Sequence, residues 1–511
     1  MSYKWAVMLC LMPTMTLVTV DMTIVNVALA KLGAVFGVDV ATVGWTVTGF
    51  ALAMGVATPM ASFVETRFTL KRVWVVTMAL FTGGSMLCGL SPAFWVLIVG
   101  RVLQGAAAGL LFPMAMSALF RVFPSGERGA AMGLLVIPIV AGPAFGPTVG
   151  GYIVTYMDWR MVFFVNLPIG VLAVVVAALL LRSEQPQRHA HLDAVGVLLS
   201  SLGFGSCLYG LSSVSQDGWS SPTVQGFIGF GLLSLVALCA YELTQDEPLL
   251  DVRLFALPQF LIGNVMNWVG SIALLGAEFM LPLYLQNLRG LTALDTGLLL
   301  MPQGFAIGLS APMAGRLIDR IGARPVAVLG VLLLALNTWD LSRITLNTSL
   351  DTLRWLLVLR GLALGFMATP PKLTAMEAAP EQLRTNGSSM INAMQSVFQS
   401  LGVAWLATVV QTQTVVHTAV LGWQVRPDTL PGMAVGQISA ALQAGGGLPP
   451  ATANVDAVAL MVRQVTTQAT TLAFGDAYLI TFFAALLAIP LALLLPGRGA
   501  VRASQEPVTV G

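Results

Sequence analysis

Four ionisable residues stand inside otherwise apolar runs of the chain: Asp21, Arg101, Glu278 and Arg360. A charge at the middle of a bilayer costs roughly 2.5–3.5 kcal/mol even on lenient insertion scales, so such residues mark ion pathways, proton relays or buried pairs. A carboxyl in apolar surroundings resists ionisation, whereas a neighbouring guanidinium favours it. A group balanced between the two can accept a proton on one side of a membrane and release it on the other. Asp21 lies late in a run leaving the first face, and Arg101 lies early in a returning run, at nearly the same depth. Glu278 and Arg360 repeat this order in the second half. The alternatives are a structural ion pair or a helix end near the headgroups. Glu278 in particular reaches the interface if Pro282 ends its span. Local sequence echoes the repeat: Arg101-Val-Leu-Gln-Gly105 resembles Arg360-Gly-Leu-Ala-Leu-Gly365, which points to two related halves.

The elements that must position these residues follow from composition. Of 511 residues, 57% are hydrophobic and 9% charged, against about 25% charged in soluble domains. About fourteen apolar runs, from 5–27 to 474–496, reach the roughly 20 residues needed to cross a hydrocarbon core. In lipid each must satisfy its own backbone, so each is a helix, and the fold class is an all-α polytopic membrane protein. The run from Trp5 reads as a retained span rather than a signal peptide. Basic residues, among them Lys4, Arg67, Lys71, Arg72, Arg121, Lys372 and Arg384, favour one face by roughly two to one, which predicts cytoplasmic N- and C-termini.

The net charge of +2 gives no field for nucleic acid. The four cysteines are scattered singly in apolar runs, without metal or disulfide spacing. His189, His191 and His417 fall in loops with no cysteine companions, and neither a nucleophile motif nor a P-loop is present. A membrane-embedded enzyme and an ATP-driven pump are disfavoured, and no metal or cofactor is expected.

Two glycine patterns read as mechanical parts. Gly142, Pro143, Gly146, Pro147, Gly150 and Gly151 predict a bent, closely packed helix that serves as hinge or seal. Gly315, Asp319, Arg320, Gly322 and Arg324 occupy a short turn where an acid can face a helix N-terminus and arginines can latch neighbouring helix ends. Asn264, Asn267, Gln286, Gln303, Asn392 and Gln395 are candidate pocket residues, with helix–helix hydrogen bonding as the alternative. The 24 Met and 24 Phe suit a forgiving pocket, though most will pack or face lipid. Residues 183–193 form a polar linker, and 411–473 form a long external segment whose part 453–471 is weakly amphipathic.

These motifs together resemble the major facilitator superfamily, and within it the fourteen-span drug/proton antiporters of the EmrB and QacA type. Asp21 through Asn26 and Ala28 match the first-helix motif, Arg101-x-x-Gln104-Gly105 the fourth-helix motif, and Gly146-Pro147-x-x-Gly150-Gly151 the antiporter motif. Trp159-Arg160 through Asn166-Leu-Pro168-Ile-Gly170 matches the entry to the sixth helix, and Gly315–Arg324 the loop signature. The first-half copy of that signature is degenerate, with Ser62, Thr66 and Thr69 where Gly, Asp and Gly are expected. The resemblance implies two six-helix bundles, 1–182 and 260–511, with two additional central helices in 183–259 and an external loop at 411–473. It implies proton-driven efflux of amphipathic small molecules across a bacterial inner membrane, with the proton gradient as energy source. The long segment before the last span implies a periplasmic membrane-fusion adaptor and an outer-membrane channel as partners. A dedicated exporter of one siderophore, toxin or fatty acid is the alternative.

Overall fold

The computed structural model describes residues 2–183, 193–245, 248–425, 428–446 and 448–497; the side chains of 40–41, 140–141, 143–144, 274–279, 293 and 446 are not described. His189, His191 and most of the 183–193 linker lie outside the described residues. The first half contains α1 (Tyr3–Phe36), α2 (Val40–Ala57), α3 (Ala61–Phe68), α4 (Leu70–Gly89), α5 (Phe94–Val122), α6 (Arg128–Tyr156), α7 (Met161–Phe164) and α8 (Asn166–Leu180). Two central helices follow, α9 (Ala194–Asp217) and α10 (Pro222–Glu242). The second half holds α11 (Pro258–Leu283), α12 (Ala293–Ile321), α13 (Ala323–Leu341), α14 (Leu350–Ala378), α15 (Arg384–Trp423), α16 (Leu430–Gly446) and α17 (Pro450–Leu494).

Twelve helical stretches among the described residues are long and apolar enough to cross a membrane. In two of them, α2 with α3 and α7 with α8, consecutive helices share one span. Helices α6 and α11, of 29 and 26 residues, include undescribed side chains and complete the fourteen. Caps mark the borders: Asp39 accepts from Thr42 N at 2.9 Å, Asp193 from Gly196 N at 2.8 Å and Thr292 from Asp295 N at 3.1 Å. Gly37 (φ 65°) closes α1 in the left-handed region, where glycine carries no Cβ penalty. Tyr3 and Leu495 lie at one face, called near below; the opposite face is far.

The halves meet along α6 and α12. Glycines permit this contact at both ends: a Cβ on Gly315 would lie 2.0 Å from Gly129 O near one face, and a Cβ on Gly297 would lie 2.3 Å from Thr148 Oγ1 near the other. On the opposite side, α9 stands between the halves and touches both α2 and α15. Gly55 packs on Leu208, Trp45 stacks on Tyr209, and Trp219 Nε1 donates to Thr408 Oγ1 at 2.8 Å.

Segment 411–473 is helical over most of its length. Helix α15 extends to Trp423 and α17 begins at Pro450, so both run well into the segment expected as an external loop, with α16 packed on α17. His417, expected in a loop, is on α15 and lies 2.8 Å from Asp476 Oδ2 on α17.

Candidate functional site

The expected first-half pair meets inside the bundle. Arg101 Nη1 on α5 donates to Asp21 Oδ2 on α1 at 2.6 Å, and both side chains are 0% exposed. Asp21 Oδ1 accepts from Asn166 Nδ2 at 2.6 Å and Gln104 Nε2 at 3.2 Å, so three donors converge on one carboxylate. Arg101 is held in turn by Thr46 O (2.8 Å from Nε), by Gln104 Oε1 (3.1 Å from Nη1) and by the face of Phe50, with the guanidinium carbon 4.3 Å from the ring centre. Ser85 Oγ completes the cluster by accepting from Asn166 at 2.9 Å and Gln104 at 3.1 Å. Close packing makes this possible: a Cβ on Gly105 would lie 2.2 Å from Phe50 O, so α2 approaches α5 at backbone distance. Sequence reading did not single out Ser85, and it met Asn166 and Gln104 only within motifs. The available signal was a polar side chain at matching depth in an apolar run.

The second-half counterparts are less completely described. Arg360 is 1% exposed on α14. Glu278 is on α11, but its side chain lies outside the described residues. Pro282 does not end its helix, which passes to Leu283 and continues as a π-helical turn, Tyr284–Leu288.

A cavity of about 230 Å³ lies between the halves. Its walls come from α1, α2, α5 and α6 on one side and α11, α14 and α15 on the other; they are largely apolar and include Met15, Met22, Met54, Met116, Met132, Met266 and Met367. Of the expected pocket residues, Asn267, Asn392 and Gln395 line it. Asn264 instead donates to Phe260 O at 2.9 Å within its own helix, Gln303 is buried at 1% exposure away from the cavity, and Gln286 is exposed. Asp21 is not on the wall either. Helix α1 turns Thr19, Met22 and Thr23 to the cavity and Asp21 to the interior of the first half.

The charge asymmetry counts Lys372 with the cytoplasmic segments, and α14 carries it on the cavity wall. Asp476, on α17 within the 474–496 run, is a further acid that the count of four omits.

The glycine patterns have definite contacts. Gly142, Gly146 and Gly150 each face α1, where an added Cβ would lie 2.5 Å from Thr19 Oγ1, 2.0 Å from Thr23 Oγ1 and 2.9 Å from Ile24 O. Thr19 Oγ1 donates to Pro138 O at 2.7 Å across the same crossing. Helix α6 is continuous past Pro143 and Pro147, Gly151 is buried, and the Pro143 side chain is not described. On the near face, Asp319 Oδ1 and Oδ2 accept from Gly129 N and Ala130 N, both at 2.9 Å, so an acid of the second half caps a first-half helix at its positive end. Gly322 (φ 92°) makes the turn, Arg324 Nε donates to Leu495 O at 2.9 Å, and Arg320 is exposed.

More near-face bonds join the halves: Ser117 with Thr385 at 2.7 Å, Ser388 Oγ to Pro113 O at 2.9 Å and Arg384 Nη1 to Phe120 O at 3.3 Å. Glu65 pairs with Arg121 beside them. Among the described residues, the hydrogen bonds between the two bundles all lie at this face, so the cavity is closed toward it.

Comparison with known proteins agrees with this architecture. The family model of the Major Facilitator Superfamily matches residues 11–403. The lincomycin resistance protein LmrB of Listeria innocua is 30% identical over 83% of this chain and 88% of its own. The multidrug resistance protein B homolog of Mycobacterium tuberculosis is 32% identical over 77% of this chain and 74% of its own. The solved structure of the proton:xylose symporter XylE bound to 6-bromo-6-deoxy-D-glucose superposes with a TM-score of 0.60 at 13% identity, covering 99% of each chain. The chain belongs to the Major Facilitator Superfamily and is a multi-pass membrane transporter, not an enzyme.

Proposed function

We propose that this member of the superfamily exports amphipathic organic compounds in exchange for protons, from a bacterial inner membrane with both termini cytoplasmic. The observation that carries the reading is the double duty of α1, which gives Asp21 to a buried polar cluster and Thr19, Met22 and Thr23 to the cavity wall. A proton on Asp21 neutralises the carboxylate that ties α1 to Arg101, Gln104 and Asn166, on α5 and α8. Loss of those charge-assisted bonds loosens α1, and the wall it contributes shifts with it. Access then alternates as the halves rock about the α6–α12 contact and the near-face bonds part. Relatives named for lincomycin and multidrug resistance support the cargo class.

The helical extension of α15, α16 and α17 exposes Val415, Val420, Trp423, Leu430 and Val455. It serves as the docking surface for a periplasmic adaptor that leads to an outer-membrane channel. The coupling is tested in proteoliposomes under an imposed pH gradient. Asp21→Asn abolishes gradient-driven drug accumulation while leaving drug binding in place. Unchanged gradient-driven flux removes Asp21 from the coupling role.

A further inference from the structure

Among the described residues that line the central cavity, Lys372 alone is ionisable. It has no hydrogen-bond or ion-pair partner among the described residues, whereas Asp21, Glu65, Asp319 and Asp476 all have partners. It is the wall residue of α14 closest to the near face, and Met132 and Asn392 hold the same place on α6 and α15. The cation therefore stands at the closed end of an apolar chamber. The methionine walls are above it, and the amides of Asn392 and Gln395 also line the chamber. A lone charge taken from water into such a place is uncompensated unless a counter-charge arrives with it. No carboxylate among the described residues of the wall supplies one.

From this geometry we infer that the cavity selects cargo bearing an anionic group, such as a carboxylate, sulfonate or phosphate. Its charge pairs with the Lys372 ammonium at the floor, and its apolar body packs against the methionines. Polarizable, unbranched thioether side chains adapt to bodies of different shape, so the fixed element of recognition is the charge. A cationic amphipath meets like charge at the same point and is rejected, which is selectivity by repulsion as well as attraction. The inference rests on the reading of this cavity as the cargo site and adds the sign of the cargo's charge.

The test is equilibrium binding to the purified full chain in lipid nanodiscs, using three probes: 1-naphthylacetate, 2-(1-naphthyl)ethanol and (1-naphthylmethyl)trimethylammonium. The parent protein binds the carboxylate at least about tenfold tighter than the alcohol, about 1.4 kcal/mol, and the ammonium weakest. Lys372→Met brings carboxylate and alcohol within about twofold of each other, and Lys372→Arg restores the preference. Replacing an unpaired, half-buried cation by an apolar side chain is not expected to cost stability, so the methionine variant folds. A carboxylate preference that survives Lys372→Met overturns the inference, as does a parent protein that prefers the ammonium or binds none of the probes. Gly270→Trp separates this failure from that of the cargo-site reading, because it places an indole in the cavity against Met367. Alcohol binding that persists in Gly270→Trp puts the probes elsewhere, and both readings fall together. Alcohol binding lost in Gly270→Trp, with a charge preference indifferent to Lys372, sinks only the anion.

Discussion

Removing the charge of Asp21 exposes how the buried cluster is held. In Asp21→Asn the Arg101 guanidinium stays fully buried, with Thr46 O and Gln104 Oε1 as acceptors and the Phe50 ring beneath it, but without its counter-charge at 2.6 Å. Breaking a buried pair by removing one partner costs about 3–5 kcal/mol, most of it from the stranded charge. Removing both charges, as in Asp21→Asn with Arg101→Gln, leaves neutral amides that can bond one another and Asn166. The double variant therefore recovers at least about 2 kcal/mol of what the single one loses, a coupling typical of residues within one hydrogen-bonded network. Reversible unfolding in mixed detergent micelles, followed by tryptophan fluorescence, measures all four members of the cycle. Stability losses that add to within about 0.5 kcal/mol would refute the claim that the two charges hold each other. In proteoliposomes the double variant stays uncoupled from the pH gradient despite its regained stability, because no titratable acid stands at position 21.

Three further outcomes follow from particular contacts. Thr69, where the second-half copy of the motif has Gly322, holds φ 72° and ψ 149°, a region that glycine alone adopts at little cost; Thr69→Gly should stabilise the protein by about 1 kcal/mol, seen as a raised thermal-unfolding midpoint. Asp319→Asn loses the carboxylate that accepts from Gly129 N and Ala130 N, so near-face opening becomes easier, and a cysteine introduced at Ser117 should react several-fold faster with an aqueous maleimide; an unchanged rate counts against the latch. Deleting 430–446, which is α16, should reduce co-purification of a periplasmic adaptor at least about tenfold, or about 1.4 kcal/mol, and equal recovery counts against the docking role.

The apolar runs carried the all-helical, many-span architecture, because lipid leaves a spanning backbone no other means of satisfying itself. The Asp21–Arg101 contact was legible for a related reason: two costly charges at equal depth on helices of opposite direction gain by meeting. Asn166 and Ser85 were harder to find, since one amide or hydroxyl in a span is as often a helix–helix hydrogen bond as part of a network. The place of Lys372 on the cavity wall was not legible, because a lysine six residues from the end of α14 is ordinarily able to reach the headgroups; the packing of α6 and α15 around the cavity puts it on the wall. The length of α15 and α17 was hidden because, beyond the bilayer, the runs of Gln and Thr no longer show the continuous apolarity that marks a span.

Helix α9 has a consequence for how cargo travels. The two bundles have two long margins open to lipid. One is shut by the glycine contacts of α6 with α12, and the other is filled by α9, which lies against α2 and α15 with α10 behind it. A compound dissolved in the acyl chains thus meets, among the described residues, a helix contact at both margins. Its route runs through water at one face or the other, so uptake should follow a compound's free aqueous concentration rather than its partition into the bilayer. On this arrangement the added pair of helices makes the transporter a vessel filled and emptied from its ends.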